Sequence, residues 1–241
     1  MIKHLPNAMT LGNLLCGCIA IVAIMNGEME LSAIMVVVAG ILDFFDGFVA
    51  RLVKSSSELG KQLDSLADMV TFGVVPGLTL FHLFSGSMLS LNQLSVESGS
   101  PAYMPYFMFS VTLASCMRLA KFNIDTRQEN YFIGVPTPLN ALVTAGIPFI
   151  AYDNPAFGKY VHNPALLIAY ALITSYLMLA DIPMISLKVK SWSFKAAKEV
   201  YFLLIGSLLM LIILKHAAFP LILCYYVILS TVFPPDKKLE L

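Results

Sequence analysis

Apolar segments recur through this chain at roughly 9–26, 31–53, 62–89, 102–121, 138–152, 164–188, 199–214 and 216–233. Each suits a helix crossing a hydrocarbon layer of about 30 Å, the fifth and the last two being short. The chain is 58% hydrophobic and 12% charged, where soluble domains carry about 25% charged residues. Its mean hydropathy is +0.79. The expected fold is all-α, a polytopic transmembrane helical bundle. The formal net charge is zero, so no basic field argues for a nucleic-acid partner.

Prolines punctuate the segments. Pro101 and Pro105 precede the fourth, Pro136 and Pro138 the fifth, and Pro155 and Pro164 flank the loop before the sixth; Pro220 could start or kink the last. The apolar stretch Leu11 to Met25 has no small-residue cleavage site after it and reads as a retained span rather than a signal peptide. Cys16, Cys18, Cys116 and Cys224 form no spaced framework, so small buried hydrophobes are the expectation. His4, His82, His162 and His216 suggest no ligand set.

With the N-terminus cytoplasmic, Lys3, Arg51, Lys54, Lys61, Arg118, Lys121, Arg127, Lys188, Lys190, Lys195, Lys198, Lys237 and Lys238 fall on the cytoplasmic side. Only Lys159 and Lys215 fall outside. This one-sidedness predicts an integral membrane protein with both termini in the cytoplasm. The stretch Ser191–Lys198, with Trp192 and Phe194 among its lysines, reads as a headgroup-level loop. It divides the chain into a six-span core, 1–190, and a C-terminal transmembrane helix pair, 191–241.

Near the cytoplasmic face the apolar pattern is broken by acids. Asp43 and Asp46 are three apart and share a helix face, which Gly47 and Ala50 continue without bulk. Gly60, Asp64 and Asp68 recur every fourth residue and form one stripe. The short turn around Lys54–Glu58 implies antiparallel helices with their acidic faces able to meet. Ser55 to Ser57 suit an N-cap. Clustered carboxylates are hard oxygen ligands for Mg²⁺, Mn²⁺ or Ca²⁺, and four of them can hold two ions. Paired ions suit a displacement at phosphorus. Glycines allow close approach of a phosphate or base, and Arg51 offers a fixed fork. Intramembrane acids also build ion paths, and spaced glycines also serve helix packing. Gly, Ala and Arg have no common purpose in an ion path.

The stretch resembles the signature of the CDP-alcohol phosphatidyltransferases, D-x-x-D-G-x-x-A-R, eight residues, G-x-x-x-D-x-x-x-D. Asp43, Asp46, Gly47, Ala50, Arg51, Gly60, Asp64 and Asp68 match it at every position. The resemblance implies a six-helix transmembrane core, usually dimeric, with a polar cavity open to the cytoplasm. It implies divalent metal, Mg²⁺ or Mn²⁺ and two ions, on the four aspartates. Gly47, Ala50, Arg51 and Gly60 would shape the nucleotide site, and Asp68 would be the general base.

Three further stretches, Pro6–Asn13, Arg118–Asn123 and Phe132–Pro138, are similar to the bacterial and archaeal phosphatidylserine synthase branch, with its R-L-A-R-F-N and G-x-P-x-P patterns. Lys121 stands where Arg is usual, keeping the charge but losing the fork. This implies CDP-diacylglycerol as donor, L-serine as acceptor, and a home in a bacterial or archaeal cytoplasmic membrane, among its lipids. Arg118, Lys121 and Asn123, with Arg127 nearby, are the candidate acceptor residues. An Arg can take the serine carboxylate in a bidentate pair, but a phosphate-bearing acceptor would want the same charges, and so would membrane topology. Thr10 and Asn13 either line the cavity or bond helix to helix. Asp181 reads as an interfacial or helix-bonding acid. A divalent-cation transporter is the reading of another class; it needs polar residues continuing across the membrane.

Overall fold

Asn26, Gly27 and Glu28 form the whole link between α1 (Leu5–Met25) and α2 (Met29–Leu52), so the two helices must lie antiparallel as neighbours. Gly27 makes the turn at a φ of +80°, a left-handed conformation that a side chain would strain. The computed structural model describes residues 5–53, 57–94, 103–125, 132–150, 155–185 and 198–233. The buried residues of α1 and α2 include the small Ala20, Ala23, Ser32 and Ala39 beside the larger Ile24 and Val36. Lipid is as apolar as leucine, so helices in a bilayer associate through such close backbone approach rather than through hydrophobic burial.

Ser57 caps α3 (Glu58–Asp68), its Oγ accepting from Gly60 N at 3.0 Å, with Glu58 in the first turn. This is the cap expected from the serine run; Ser55 lies outside the described residues. Past Asp68 the helix widens into a π-helical turn, Met69–Val74, before α4 (Val75–Leu94). Such turns are rare and concentrate at functional sites. The loosened backbone is held from outside, since Thr112 Oγ1 donates to Gly73 O at 2.9 Å and Thr71 Oγ1 to Asn13 O at 3.1 Å. Gly17 of α1 sits against Thr71 so closely that a Cβ there would collide with its Oγ1.

The fourth segment opens as a 3₁₀ turn, Met104–Phe109, and continues as α5 (Ser110–Ile124). A two-residue strand β1 (Phe132–Ile133) precedes α6 (Thr137–Gly146). α7 (Pro155–Val161) is short, and α8 (Pro164–Leu179) begins on an Asn163 cap. The sixth segment was expected to run to about 188, but its helix ends at Leu179. The turn at Gly134 lies across its C-terminus, where Val135 N donates to Leu177 O at 3.0 Å and Gly134 N donates to Ile182 O at 2.9 Å. The chain then turns extended into β2 (Pro183–Met184), which pairs antiparallel with β1, Phe132 opposite Met184. Asp181 is therefore exposed in a link beyond the helix rather than within a span.

α9 (Lys198–Leu214) and α10 (Ala218–Val232) are joined at Lys215–Ala217. Lys215 has a φ of +49°, and Tyr225 OH donates to Phe202 O at 2.8 Å, so the pair folds back on itself. Pro220 lies in the first turn of α10, where its missing N–H costs no hydrogen bond. By length and composition Leu5–Met25, Met29–Leu52, Glu58–Gly86 and the folded stretch Lys198–Val232 can cross a membrane, while Pro164–Leu179 is shorter. The protein is an all-α polytopic membrane protein apart from the two-residue strand pairing. Outward-facing Leu15, Val22, Ile41, Leu113 and Ile212 give it the apolar belt that this requires. The cysteines depart from expectation: only Cys16 is buried, and Cys18, Cys116 and Cys224 are exposed among these outward-facing apolar residues. The Ser191–Trp192–Phe194 stretch, the boundary at 190/191 and Lys3, Lys54, Arg127, Lys188, Lys190, Lys195, Lys237 and Lys238 lie outside the described residues.

A candidate active site between α1, α2, α3 and α5

Carboxylate oxygens of Asp43, Asp64 and Asp68 lie within 4.8 Å of one another. The acidic faces of α2 and α3 do meet, as the spacing predicts. The two helices nevertheless make little direct backbone contact, because α1 packs along both and holds them. Thr10 and Asn13, three apart on α1, reach one to each side. Thr10 Oγ1 donates to Asp46 Oδ2 at 2.6 Å, and Asn13 Nδ2 donates to Asp68 Oδ1 at 3.0 Å. Of the two roles open for Thr10 and Asn13, the structure shows helix-to-helix bonding, α1 to α2 and α1 to α3, through the acids themselves.

Asp46 and Asp68 are buried, Asp43 and Asp64 half-buried. Asp46 stands apart from the close trio, satisfied by Thr10. Asp64 Oδ1 and Asn13 Oδ1 are buried with no hydrogen-bond partner. Like charges this close, with lone pairs left over, suit a hard divalent cation among them, so the donor set fits Mg²⁺ or Mn²⁺. One turn beyond Asp68 the interior closes with Phe72, which packs with Ala20, Val36 and Val75 in an apolar cluster.

The remaining signature residues surround the acids. A side chain at Gly47 would meet nothing within 4 Å, so packing does not demand glycine there and the space beside it is open. Gly60 is the third residue of α3 and donates its N–H to the Ser57 cap. Ala50 is half-buried, and Arg51 is exposed in the last turn of α2, where its charge also suits the helix dipole.

The expected acceptor residues divide. Arg118 is only 6% exposed, its Nε has no partner, and it makes no salt bridge among the described residues. It lies within electrostatic range of Asp68 and of Tyr226. With Lys121 it lines a cavity of about 440 Å³, together with Ile133, Met178 and Asp181. Burying a guanidinium is costly without an anion beside it, so this cavity suits an anionic ligand. Asn123 is not in the lining; its Nδ2 donates to Ser65 Oγ at 2.8 Å, tying α5 to α3. Ser65, Thr71, Thr112 and Tyr226 went unnoticed in the sequence, where a lone hydroxyl in an apolar helix carries no sign of its partner.

A model of the CDP-alcohol phosphatidyltransferase family matches residues 3–232. The CDP-diacylglycerol–serine O-phosphatidyltransferase of Bacillus subtilis is 30% identical over 182 residues, covering 75% of this chain and 89% of that protein. The protein of the same name from Helicobacter pylori strain J99 is 29% identical over 196 residues, 79% of this chain and 75% of its own. That of Mycobacterium tuberculosis H37Rv is 30% identical over 191 residues, 76% of this chain and 61% of its own.

Proposed function

Because the chain belongs to the CDP-alcohol phosphatidyltransferase family, we propose that it transfers the phosphatidyl group of CDP-diacylglycerol to the hydroxyl of L-serine, releasing phosphatidylserine and CMP. The observation that carries the reading is the convergence of Asp43, Asp64 and Asp68 at the signature positions. The names of the relatives support serine, and the buried Arg118, whose Nε has no partner among the described residues, suits an anionic acceptor.

Asp68 acts as general base. Asn13 occupies its Oδ1, which leaves Oδ2 to take the proton from the serine hydroxyl. The freed oxygen bonds to the phosphorus that carries diacylglycerol, the bond from that phosphorus to the bridging oxygen breaks, and CMP leaves with the bridging oxygen. Mg²⁺ or Mn²⁺, one ion or a pair, held by Asp43, Asp64 and Asp68 with Asp46 beside them, would neutralise the carboxylates and polarise the phosphates. Arg51 and the open face at Gly47, with Ala50 and Gly60, hold the nucleotide. Arg118 orients the serine carboxylate, with Lys121 adding a second positive charge; Asn123 positions α5 through Ser65.

Both termini and this site lie on the cytoplasmic side of a bacterial or archaeal cytoplasmic membrane, a reading supported by the one-sided basic residues and by the bacterial relatives. Residues 1–190 form the catalytic core, 191–241 an appended helix pair, and the protein works as a homodimer. The test is CMP release by the detergent-purified protein with CDP-diacylglycerol, Mn²⁺ or Mg²⁺, and L-serine, glycerol 3-phosphate or inositol 1-phosphate in turn. Release with serine alone supports the reading. Release only with a phosphate-bearing acceptor reassigns Arg118 and Lys121 to that phosphate. Metal uptake into proteoliposomes without CMP release would replace the enzyme by a transporter.

A further inference from the structure

The Arg118 cavity is closed on one side by the strand pair, since Ile133 of β1 is in its lining and β1 is paired to β2. The side chain of Ile185, the residue that follows β2, is buried in the apolar cluster with Leu80, Met108 and Met178 of the core, but its backbone is held from elsewhere. Ile185 is held at both backbone polar groups by one face of α10. Tyr226 OH donates to Ile185 O at 2.8 Å, and Ile185 N donates to Ser230 Oγ at 3.2 Å. Tyr226 and Ser230 are four apart, so they share a helix face, and both are buried. The Tyr226 hydroxyl is also in electrostatic range of the Arg118 guanidinium.

We infer that Tyr226 and Ser230 are positioning residues for the acceptor cavity: the last helix clamps Ile185, and through the β1–β2 pairing sets the wall opposite Arg118. The helix pair beyond the core is then a part of the acceptor site, touching neither the carboxylates nor the donor. A buried peptide unit must find partners for its N–H and C=O. Here the partners are side chains of α10, so loosening them frees the wall while the aspartates keep their own bonds from α1. Freeing the wall lowers the fraction of molecules whose cavity is formed, and the apparent affinity for the acceptor falls by that fraction.

The inference rests on the reaction proposed above, and the experiment separates the two. Steady-state CMP release is measured for wild type, Tyr226→Phe, Ser230→Ala and, as control, Tyr225→Phe, whose hydroxyl bonds α9 instead. L-serine binding to the same proteins is followed by saturation-transfer NMR. Tyr226→Phe is expected to raise the serine KM about fivefold, one hydrogen bond's worth, with the KM for CDP-diacylglycerol and kcat within about twofold. Ser230→Ala moves the same way and keeps the inference testable if Tyr226→Phe does not fold; Tyr225→Phe leaves both KM values alone. Unchanged serine KM and binding in both variants would overturn the inference, as would an equal rise in both KM values. Wild type that binds no serine and releases CMP only with another acceptor overturns the serine reading instead, and the KM comparison is then made with that acceptor. Wild type that binds serine but releases no CMP overturns the reaction alone, and the inference is then decided by serine binding in the variants.

Discussion

Asn13 donates from Nδ2 to Asp68 Oδ1 at 3.0 Å, while the Oδ1 of the same amide is buried without a partner. The amide can satisfy its second half only with a group that arrives, so it is already oriented for a donor beside the proposed base. Asn13→Ala should lower kcat for CMP release by about 10- to 100-fold with little change in either KM, as loss of an orienting partner does. Asn13→Asp should cost more, because it sets a like charge against Asp68. Kinetics on both variants check this; an Asn13→Ala enzyme at wild-type kcat would remove Asn13 from the mechanism.

Asp68→Asn keeps shape and removes the base. CMP release should fall by at least about 10² to 10⁴-fold. Binding of CDP-diacylglycerol, followed by its protection against thermal unfolding in detergent, should persist. A variant with lost activity and lost binding would make Asp68 a structural acid.

Chelation with EDTA should stop CMP release, and added Mn²⁺ or Mg²⁺ should restore it. Because Asp64 Oδ1 has no protein partner, Asp64→Asn should raise the metal concentration for half-maximal activity, by about 10- to 100-fold on the scale seen when metal sites are perturbed. Thr10→Val should have a smaller effect, since it frees only Asp46, which stands outside the trio. A metal titration of the three proteins decides the order.

Arg118 is buried at a cavity with no ion pair among the described residues. Arg118→Lys keeps a charge but loses the planar fork, and the serine KM should rise about tenfold or more. Arg118→Met should raise it further, with the KM for CDP-diacylglycerol unchanged. Equal loss for both substrates would place Arg118 in folding rather than in acceptor binding.

Gly134 has a φ of +72°, and a Cβ there would collide with Met178 O and approach Leu177 O at 3.1 Å. Gly134→Ala should destabilise the protein by about 1–3 kcal/mol, the range for strained backbone. A lower Tm in detergent, with the serine KM raised because Ile133 moves, is the expected pair of readings.

Much of the site was legible because helical geometry is local. Spacings of three and four put Asp43 with Asp46 and Asp64 with Asp68 on shared faces whatever the helices later pack against. The serine run announced its cap for the same reason, since Ser57 bonds Gly60 three residues on. The end of α8 was overrun: Pro183, just beyond it, is a local stop, and the turn at Gly134, far off in the chain, lies across the C-terminus with Val135 N donating to Leu177 O. The π turn after Asp68 was hidden, because its supports come from Thr112 and from Thr71 reaching Asn13.

By itself, then, the order of residues determined the membrane environment, the helical class, the family and the acids that carry its signature, all matters of composition and near spacing. Only the tertiary structure decided that α1 supplies a partner to an acid on each side, that Asn123 turns to Ser65, and that the last helix holds Ile185. Asn13 and Asp68 are 55 residues apart in the chain, and Tyr226 and Ile185 are 41 apart. Contacts at that separation depend on how helices are placed in three dimensions, and no periodicity along the chain encodes them.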